Sequence, residues 1–195
     1  MEILVILGSP RKLGNSETLA LAAIEGMEAA GAGVETVRLA KLWIQPCIHC
    51  GGCDQTGECV LDDDMDCLYE KLWTLPRIVV ASPIFFYGVT AHTKAFVDRT
   101  QALWSRKRLL QERGEWHRDP ARLGYFISVG ATRGARLFDG AVMTMRYAFD
   151  AMGMGYGGDL LVRGADKRGD LEGRAEELAA ARELGRRIVA GTKTP

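Results

Sequence analysis

The residues best suited to chemistry are four cysteines in one short segment, PCIHCGGCDQTGEC (residues 46–59). Two residues separate the first cysteine from the second and the second from the third, and five residues separate the third from the fourth. Proteins bind iron–sulfur clusters and many zinc ions through several cysteine thiolates, and glycines allow a loop to fold tightly around such a site. The candidate metal ligands are Cys47, Cys50, Cys53 and Cys59.

The spacing of these thiols favours an iron–sulfur cluster over zinc. Structural zinc sites usually combine two ligand pairs across a longer gap, which this segment lacks. His49 lies among the cysteines and is expected to be a bystander, although imidazole can bind zinc. A loop that binds no metal is the remaining interpretation.

Two neighbouring features are expected to be structural. Cys67 stands apart from the loop and is expected to be a small, partly buried apolar side chain. The acidic run DDDMD (62–66) is expected to cap the next helix, because carboxylates are favourable near a helix N-terminus. Its acids are consecutive rather than spaced, which disfavours a site for a hard cation.

A second candidate site is the segment GSPRKLGNS (8–16), which joins an apolar run to a helical pattern. Glycines allow a tight backbone there, and a helix N-terminus offers unpaired N–H groups that favour a terminal phosphate. The segment lacks the ending of a Walker A loop and the glycine triplet of dinucleotide folds. A capped turn that only starts the helix is the alternative. Its polar side chains are Ser9, Arg11, Lys12, Asn15 and Ser16.

A third candidate is the aromatic segment SPIFFYGVTAHTKAFVDR (82–99), which follows another apolar run. Large apolar side chains followed by a glycine suit a planar ring, whose heteroatoms backbone N–H groups can reach. The alternative is that Phe85 or Phe86 belongs to the core. A glycine-rich segment, GATRGARLF (130–138), follows the next apolar run. The ring-facing candidates are Pro83, Ile84, Phe85, Phe86, Tyr87 and Gly88.

Alternating strand and helix patterns position these segments. Apolar runs predict strands at 3–7, 34–39, 77–82, 124–129 and 159–163, and apolar periodicity predicts helices at 16–30, 64–75, 90–104, 138–152 and 171–190. The alternation predicts a doubly wound α/β fold, with a five-stranded parallel sheet in the flavodoxin-like order 2-1-3-4-5. We expect one domain over residues 1–195, with the cysteine-rich loop 46–60 as an insertion.

Three candidate loops then meet at one edge of the sheet, because ligands of such folds bind beyond the carboxyl ends of the strands. A phosphate site at one end and a slot for a flat ring at the other fit FMN.

Two further regions have open interpretations. The charged stretch 105–122 is expected to be a solvated loop with a short helix, and the alternative is a docking surface for an acidic electron donor or a nucleotide phosphate. The helix at 138–152 is apolar almost all round, which indicates deep burial or a subunit contact.

The composition excludes several classes of protein. Lysine and arginine together number 25, as do aspartate and glutamate, and a chain without net charge is a poor candidate for general nucleic-acid binding. No apolar run approaches the ~18 residues of a membrane span. The N-terminus lacks the pattern of a signal peptide, so we expect a cytoplasmic protein with reduced thiols.

The three loops together resemble the NADPH-dependent FMN reductase group of the flavodoxin-like superfamily. The cysteine segment narrows the resemblance to the iron–sulfur flavoproteins, which carry FMN and a [4Fe–4S] cluster and assemble as dimers or tetramers. The resemblance implies flavin-ring contacts along Pro83 to Gly88, with further contacts near Thr132 and Arg133. It also implies FMN-phosphate contacts at Ser9, Arg11, Asn15 and Ser16, and cluster ligation by Cys47, Cys50, Cys53 and Cys59.

The predicted function is electron transfer between a reduced donor, ferredoxin or NAD(P)H, and a small-molecule acceptor through FMN and the cluster. No catalytic side chain is expected, because the cofactors carry the chemistry. We expect a homodimer or homotetramer that binds neither nucleic acid nor membrane. The alternatives are an NAD(P)H-dependent FMN or quinone reductase without a cluster, a non-catalytic flavodoxin-like electron carrier, and a zinc-stabilised binding protein.

Overall fold

Five strands form one parallel sheet in the computed structural model, which describes residues 1–192. The spatial order is β2-β1-β3-β4-β5, which confirms the predicted flavodoxin-like arrangement. Residues 193–195, which the predicted domain includes, lie outside the described residues. The strands are β1 (Glu2–Leu7), β2 (Gly33–Arg38), β3 (Arg77–Pro83), β4 (Leu123–Gly130) and β5 (Gly155–Arg163).

Helices cover both faces of this sheet. One apolar layer joins the sheet to α1 and α7, and a second joins it to α3, α4, α5 and α6. Every residue of β4 is buried, as expected for a parallel strand covered on both sides. The helices are α1 (Asn15–Ala29), α2 (Cys53–Thr56), α3 (Asp66–Thr74), α4 (Ala91–Arg99), α5 (Gln101–Glu112), α6 (Asp139–Ala151) and α7 (Ala175–Ala190).

Helices α1 and α7 approach each other closely through two glycines. A Cβ atom added at Gly185 would lie 2.0 Å from the carbonyl oxygen of Ala23. A Cβ atom added at Gly26 would lie 2.0 Å from the carbonyl oxygen of Arg182. The backbones therefore meet at distances that only glycine permits.

The region after β3 differs from the prediction. The single helix predicted at 90–104 is two helices, α4 and α5, which meet at Thr100. The second helix extends to Glu112, so the short helix expected within the charged stretch 105–122 is the end of α5. Its charges find partners, because the half-exposed Asp150 accepts a 2.7 Å bond from the nearly buried ammonium of Lys107.

Helix α6 buries one face rather than its whole surface. Ala141, Met145 and Phe149 are buried in the second apolar layer. Met143 and Tyr147 are 62% and 73% exposed, so the prediction of deep burial is wrong. Among residues 1–192, no helix combines the length and apolar character needed to cross a membrane.

Candidate functional site

A cleft of about 90 Å³ opens at the carboxyl ends of the strands. It brings together a large part of the predicted FMN site from two separate loops: Ser9, Arg11, Asn15, Ser16, Pro83, Ile84 and Phe85. Of the other lining residues, Gly14 and Ala131 lie in the predicted segments 8–16 and 130–138, whereas Val129, Ala165 and Asp166 were not predicted as site residues.

The loop between β1 and α1 is held by its own polar groups. The Ser9 hydroxyl donates to the carbonyl oxygen of Arg11 and accepts the N–H of Arg11, both at 3.2 Å. Leu13 adopts a left-handed backbone with φ 54°, and its N–H donates to Glu17 at 2.6 Å. These hydrogen bonds within the loop define its shape.

The N-terminus of α1 is open towards an anion. Gly14 is the N-cap and forms no side-chain capping bond, so the first N–H groups of the helix lack a side-chain acceptor. Asn15 and Ser16 begin the helix, as the capped-turn alternative requires, but no side-chain cap is formed. The uncapped N-terminus favours a negatively charged ligand.

A third loop, after β5, also reaches this cleft. Arg11 Nη1 donates to the carbonyl oxygen of Asp166 at 3.2 Å, and Asn15 Nδ2 donates to that of Lys167 at 3.0 Å. Asn15 Oδ1 is buried and has no partner among the described residues. The only signal for this loop in the sequence is its position after the fifth strand, whose carboxyl end must lie at the same edge.

The aromatic segment forms a tight turn rather than part of the core. Phe85 and Gly88 exchange two backbone hydrogen bonds of 2.9 and 3.0 Å. Phe86 and Tyr87 between them have φ values of 49° and 63°, a left-handed conformation that is unfavourable for bulky residues. Phe85 is half exposed and Phe86 fully exposed, so the interpretation that places them in the core is wrong.

The remaining predicted flavin residues lie outside the cleft lining. A Cβ atom added at Gly140 would lie 3.0 Å from the carbonyl oxygen of Tyr87, which places the turn against the start of α6. Arg133 lies against Gly164, and Thr132 is exposed. Phe86, Tyr87, Gly88, Thr132 and Arg133 remain predictions as flavin contacts.

The four cysteines line a second cavity of about 90 Å³. Cys47 and Cys50 are exposed, whereas Cys53 and Cys59 are partly buried. The hydroxyl of Ser105 donates to the sulfur of Cys53 at 3.6 Å. Among the residues that the structure describes, no group of three or more cysteine, histidine or acidic side chains is close enough to hold a metal ion. The thiols thus share a cavity without converging on one point, and this cavity and the cleft have no lining residue in common.

A buried ion pair anchors the cysteine loop. Arg99 Nη1 lies 2.5 Å from Asp63 Oδ2, and neither side chain is exposed. Arg99 also donates to the carbonyl oxygens of Gln45 at 3.0 Å and Leu61 at 3.3 Å. Burial alone would raise the pKa of Asp63, but Arg99 and the backbone N–H groups of Gln45 and Met65 lower it overall.

Two expectations about this region need correction. The run 62–66 does more than cap a helix, because Asp63 pairs with Arg99 and Asp64 accepts the N–H of Trp43 at 2.6 Å. Cys67 is exposed rather than partly buried, since it lies on the outer face of α3 and its thiol donates to the carbonyl oxygen of Asp64.

Comparison with known proteins identifies the family. Residues 1–164 match the family model of NADPH-dependent FMN reductase. The chain belongs to the NADPH-dependent FMN reductase family. This membership confirms the predicted family.

Relatives within the FMN reductase family include proteins named iron–sulfur flavoprotein. One from Archaeoglobus fulgidus is 41% identical over 51% of this chain and 45% of its own length. One from Methanosarcina thermophila is 35% identical over 68% of this chain and 65% of its own length. The matched part of the chain therefore spans about half to two thirds of these relatives.

Solved structures support the fold of this family member. A flavodoxin from the domain Archaea superposes with a TM-score of 0.56 at 16% identity, and the match covers 97% of both chains. At this identity the likeness shows the flavodoxin-like fold alone.

Proposed function

We propose that the protein passes electrons from a reduced donor to an acceptor through bound FMN and a [4Fe–4S] cluster. The observation that carries the proposal is the cleft in which an uncapped helix N-terminus faces an exposed aromatic turn. FMN supplies the redox chemistry there, because it accepts a hydride and releases electrons singly.

The cleft offers a complementary group for each part of FMN. The α1 N-terminus, with Ser9, Arg11 and Ser16, suits the phosphate. The buried, unpartnered Oδ1 of Asn15 suits a hydroxyl donor of the ribityl chain. The backbone from Pro83 to Phe85 lines the cleft and would hold the flavin ring, with the exposed aromatic turn next to it.

The thiol cavity provides the ligands of a cluster. Four cysteines line it, and Gly51 and Gly57 adopt left-handed conformations that turn the loop around it. Because metal binding is coupled to the ordering of its loop, convergence of the thiolates is expected on assembly of the cluster.

We propose NAD(P)H or ferredoxin as the electron donor and a small molecule as the acceptor. The cytoplasm is the compartment proposed, since free thiols persist in a reducing environment. A homodimer or homotetramer is proposed because Met143 and Tyr147 expose apolar surface on α6.

The test is anaerobic purification of Cys59→Ala beside Cys67→Ala. We expect the first variant to lose iron, sulfide and the broad iron–sulfur absorption while it keeps FMN, because Cys59, unlike Cys67, lines the cavity. The second variant should keep both cofactors, since Cys67 points outwards. A Cys59→Ala protein with full iron and sulfide would contradict the ligand assignment, and wild-type protein that binds no FMN would end the proposal.

A second candidate is an NAD(P)H-dependent FMN or quinone reductase without a cluster. It is favoured by the exposure of Cys47 and Cys50 and by the lack of convergence of the described thiols. In that case wild-type protein contains flavin without iron, and the Cys59→Ala variant turns over NAD(P)H at the wild-type rate. A flavodoxin-like carrier would contain flavin and show no steady-state turnover.

A further inference from the structure

Arg99 is a buried cation in the wall of the thiol cavity. It ends α4, its side chain is fully buried, and it lines the same cavity as all four loop cysteines. Its charge is opposed by the carboxylate of Asp63, which is equally buried. A cation thus stands beside the group of thiols that the proposed cluster would use.

The hydrogen bonds of this guanidinium leave its Nε–H without an acceptor in the described part of the chain. Nη1 donates to Asp63 and to the carbonyl oxygen of Gln45, and Nη2 donates to the carbonyl oxygen of Leu61. Nε is buried and has no partner among the described residues. Buried donors are almost always satisfied, and a charged group left unsatisfied is especially costly.

The structural role of Arg99 in holding the cysteine loop does not use its Nε–H. The bonds to Asp63, Gln45 and Leu61 already tie α4 to both ends of the cysteine loop. The cavity that Arg99 lines is formed by the four cysteines, by apolar residues, and by the polar side chains of His49, Asp54 and Gln101. The Asp54 carboxylate already accepts a hydrogen bond from Ser105 at 3.3 Å, and negatively charged sulfur is the other anionic acceptor that the cavity offers to an N–H group of a cation.

We infer that the Nε–H of Arg99 donates a hydrogen bond to a sulfur atom of the bound cluster, and that Arg99 raises the potential at which the cluster is reduced. The inference rests on the proposed function, because it requires the cluster. A donor and a positive charge stabilise the more negative, reduced form, so reduction by one electron from the flavin becomes easier. Asp63 opposes this effect, since it partly neutralises the guanidinium.

The experiment compares cluster potentials in Arg99→Gln and Arg106→Gln. Each substitution removes one positive charge near the loop, but Arg106 is 39% exposed and pairs with Glu70 outside the thiol cavity. Both variants are loaded anaerobically with iron and sulfide and titrated with dithionite, with reduced cluster followed by electron paramagnetic resonance. For Arg99→Gln we expect at least a tenfold lower ratio of reduced to oxidised cluster at a fixed potential, which is about 59 mV for one electron. The control should shift by much less.

The Asp63→Asn variant distinguishes an effect of Arg99 on the cluster potential from a purely structural role in holding the loop. Both substitutions weaken the same ion pair, so a purely structural role predicts potentials that move together or not at all. Our inference predicts opposite shifts, downwards for Arg99→Gln and upwards for Asp63→Asn. If Arg99→Gln fails to retain FMN and native circular dichroism, Arg99→Lys replaces it, with a smaller downward shift expected because the Nε–H is lost.

Each outcome bears on a different claim. Wild-type protein that assembles no cluster overturns the cluster half of the proposed function and this inference with it. A wild-type cluster whose potential is unchanged in the Arg99 variant, or is lowered by Asp63→Asn, overturns this inference alone. Opposite shifts with an unmoved Arg106→Gln control support it.

Discussion

At the scale of single residues, the aromatic turn combines an unfavourable backbone conformation with exposed aromatic side chains that are proposed to cover the flavin. Phe86 and Tyr87 both occupy left-handed conformations, which cost about 1–2 kcal/mol each in bulky residues. Turns of this kind favour Asn-Gly. We therefore expect Phe86→Asn/Tyr87→Gly to raise the free energy of unfolding by about 1–2 kcal/mol in urea titrations. The same variant should bind FMN at least tenfold more weakly by fluorescence titration, because the aromatic cover of the ring is removed.

The matched control for this variant is Tyr147→Gln. Tyr147 is also an exposed aromatic residue but lies on α6, away from the cleft lining. Its substitution should leave the FMN dissociation constant unchanged. A turn variant that is more stable and still binds FMN as tightly as wild type would show that these aromatics do not serve the flavin.

Residue-scale features differ in how well the sequence predicts them. The cleft was partly predictable, because Ser9 to Ser16 and Pro83 to Phe85 follow strands whose carboxyl ends must share an edge. The Arg99–Asp63 pair was not, since its partners are 36 positions apart and neither has a local pattern that indicates burial. The exposure of Phe86 was left open by the sequence, because an apolar residue after a strand can belong to a ligand loop or to the core until the turn geometry is known.

At the scale of elements, the α1–α7 contact depends on the two glycines that face it. Gly185→Ala should improve helix propensity by up to about 1 kcal/mol, but it places a Cβ atom against the backbone of Ala23. Overpacking of this kind costs about 1–3 kcal/mol or more where backbone must move. We expect net destabilisation of about 1–2 kcal/mol in urea unfolding, while Gly173→Ala, with no atom near its Cβ position, should be neutral or stabilising.

A Gly185→Ala protein as stable as wild type would show that α7 can move away from α1 without a loss of stability.

Strand order was predictable at this scale, because five apolar runs alternate with helices and connections between parallel strands are constrained. The extension of α5 to Glu112 was not predictable, because the Lys107–Asp150 pair that supports it joins distant parts of the chain.

At the scale of the whole molecule, acid should weaken the fold through its paired carboxylates. The hydrogen bond from Arg38 lowers the pKa of Glu17 most, against the opposing effect of burial, and Arg99 with two backbone N–H groups lowers that of Asp63. A carboxyl whose pKa is lower in the folded state stabilises the protein above its unfolded pKa and loses that effect as the pH falls through the folded value. We expect the free energy of unfolding to fall steadily from about pH 5 downwards.

Urea unfolding between pH 7 and pH 3 measures this loss. Glu17→Gln should be less stable than wild type at pH 7 and should show a shallower decline with acid, because one of the linked carboxyls is gone. An equal decline in both proteins would mean that Glu17 contributes nothing to the pH dependence. Since the Leu13 N–H donates to Glu17, release of FMN should accompany the decline in wild type.

The Arg99–Asp63 pair limits how the cysteine segment can be moved between proteins. A designer who grafts residues 46–60 onto another flavodoxin-like scaffold would carry over the four thiols but neither member of the ion pair that fixes both ends of the loop. Such a chimera should take up little iron until arginine and aspartate are also introduced at the equivalent helix end and after the loop. Under the proposed function, the unit needed to bind the cluster is thus the loop together with two residues outside it, Arg99 and Asp63.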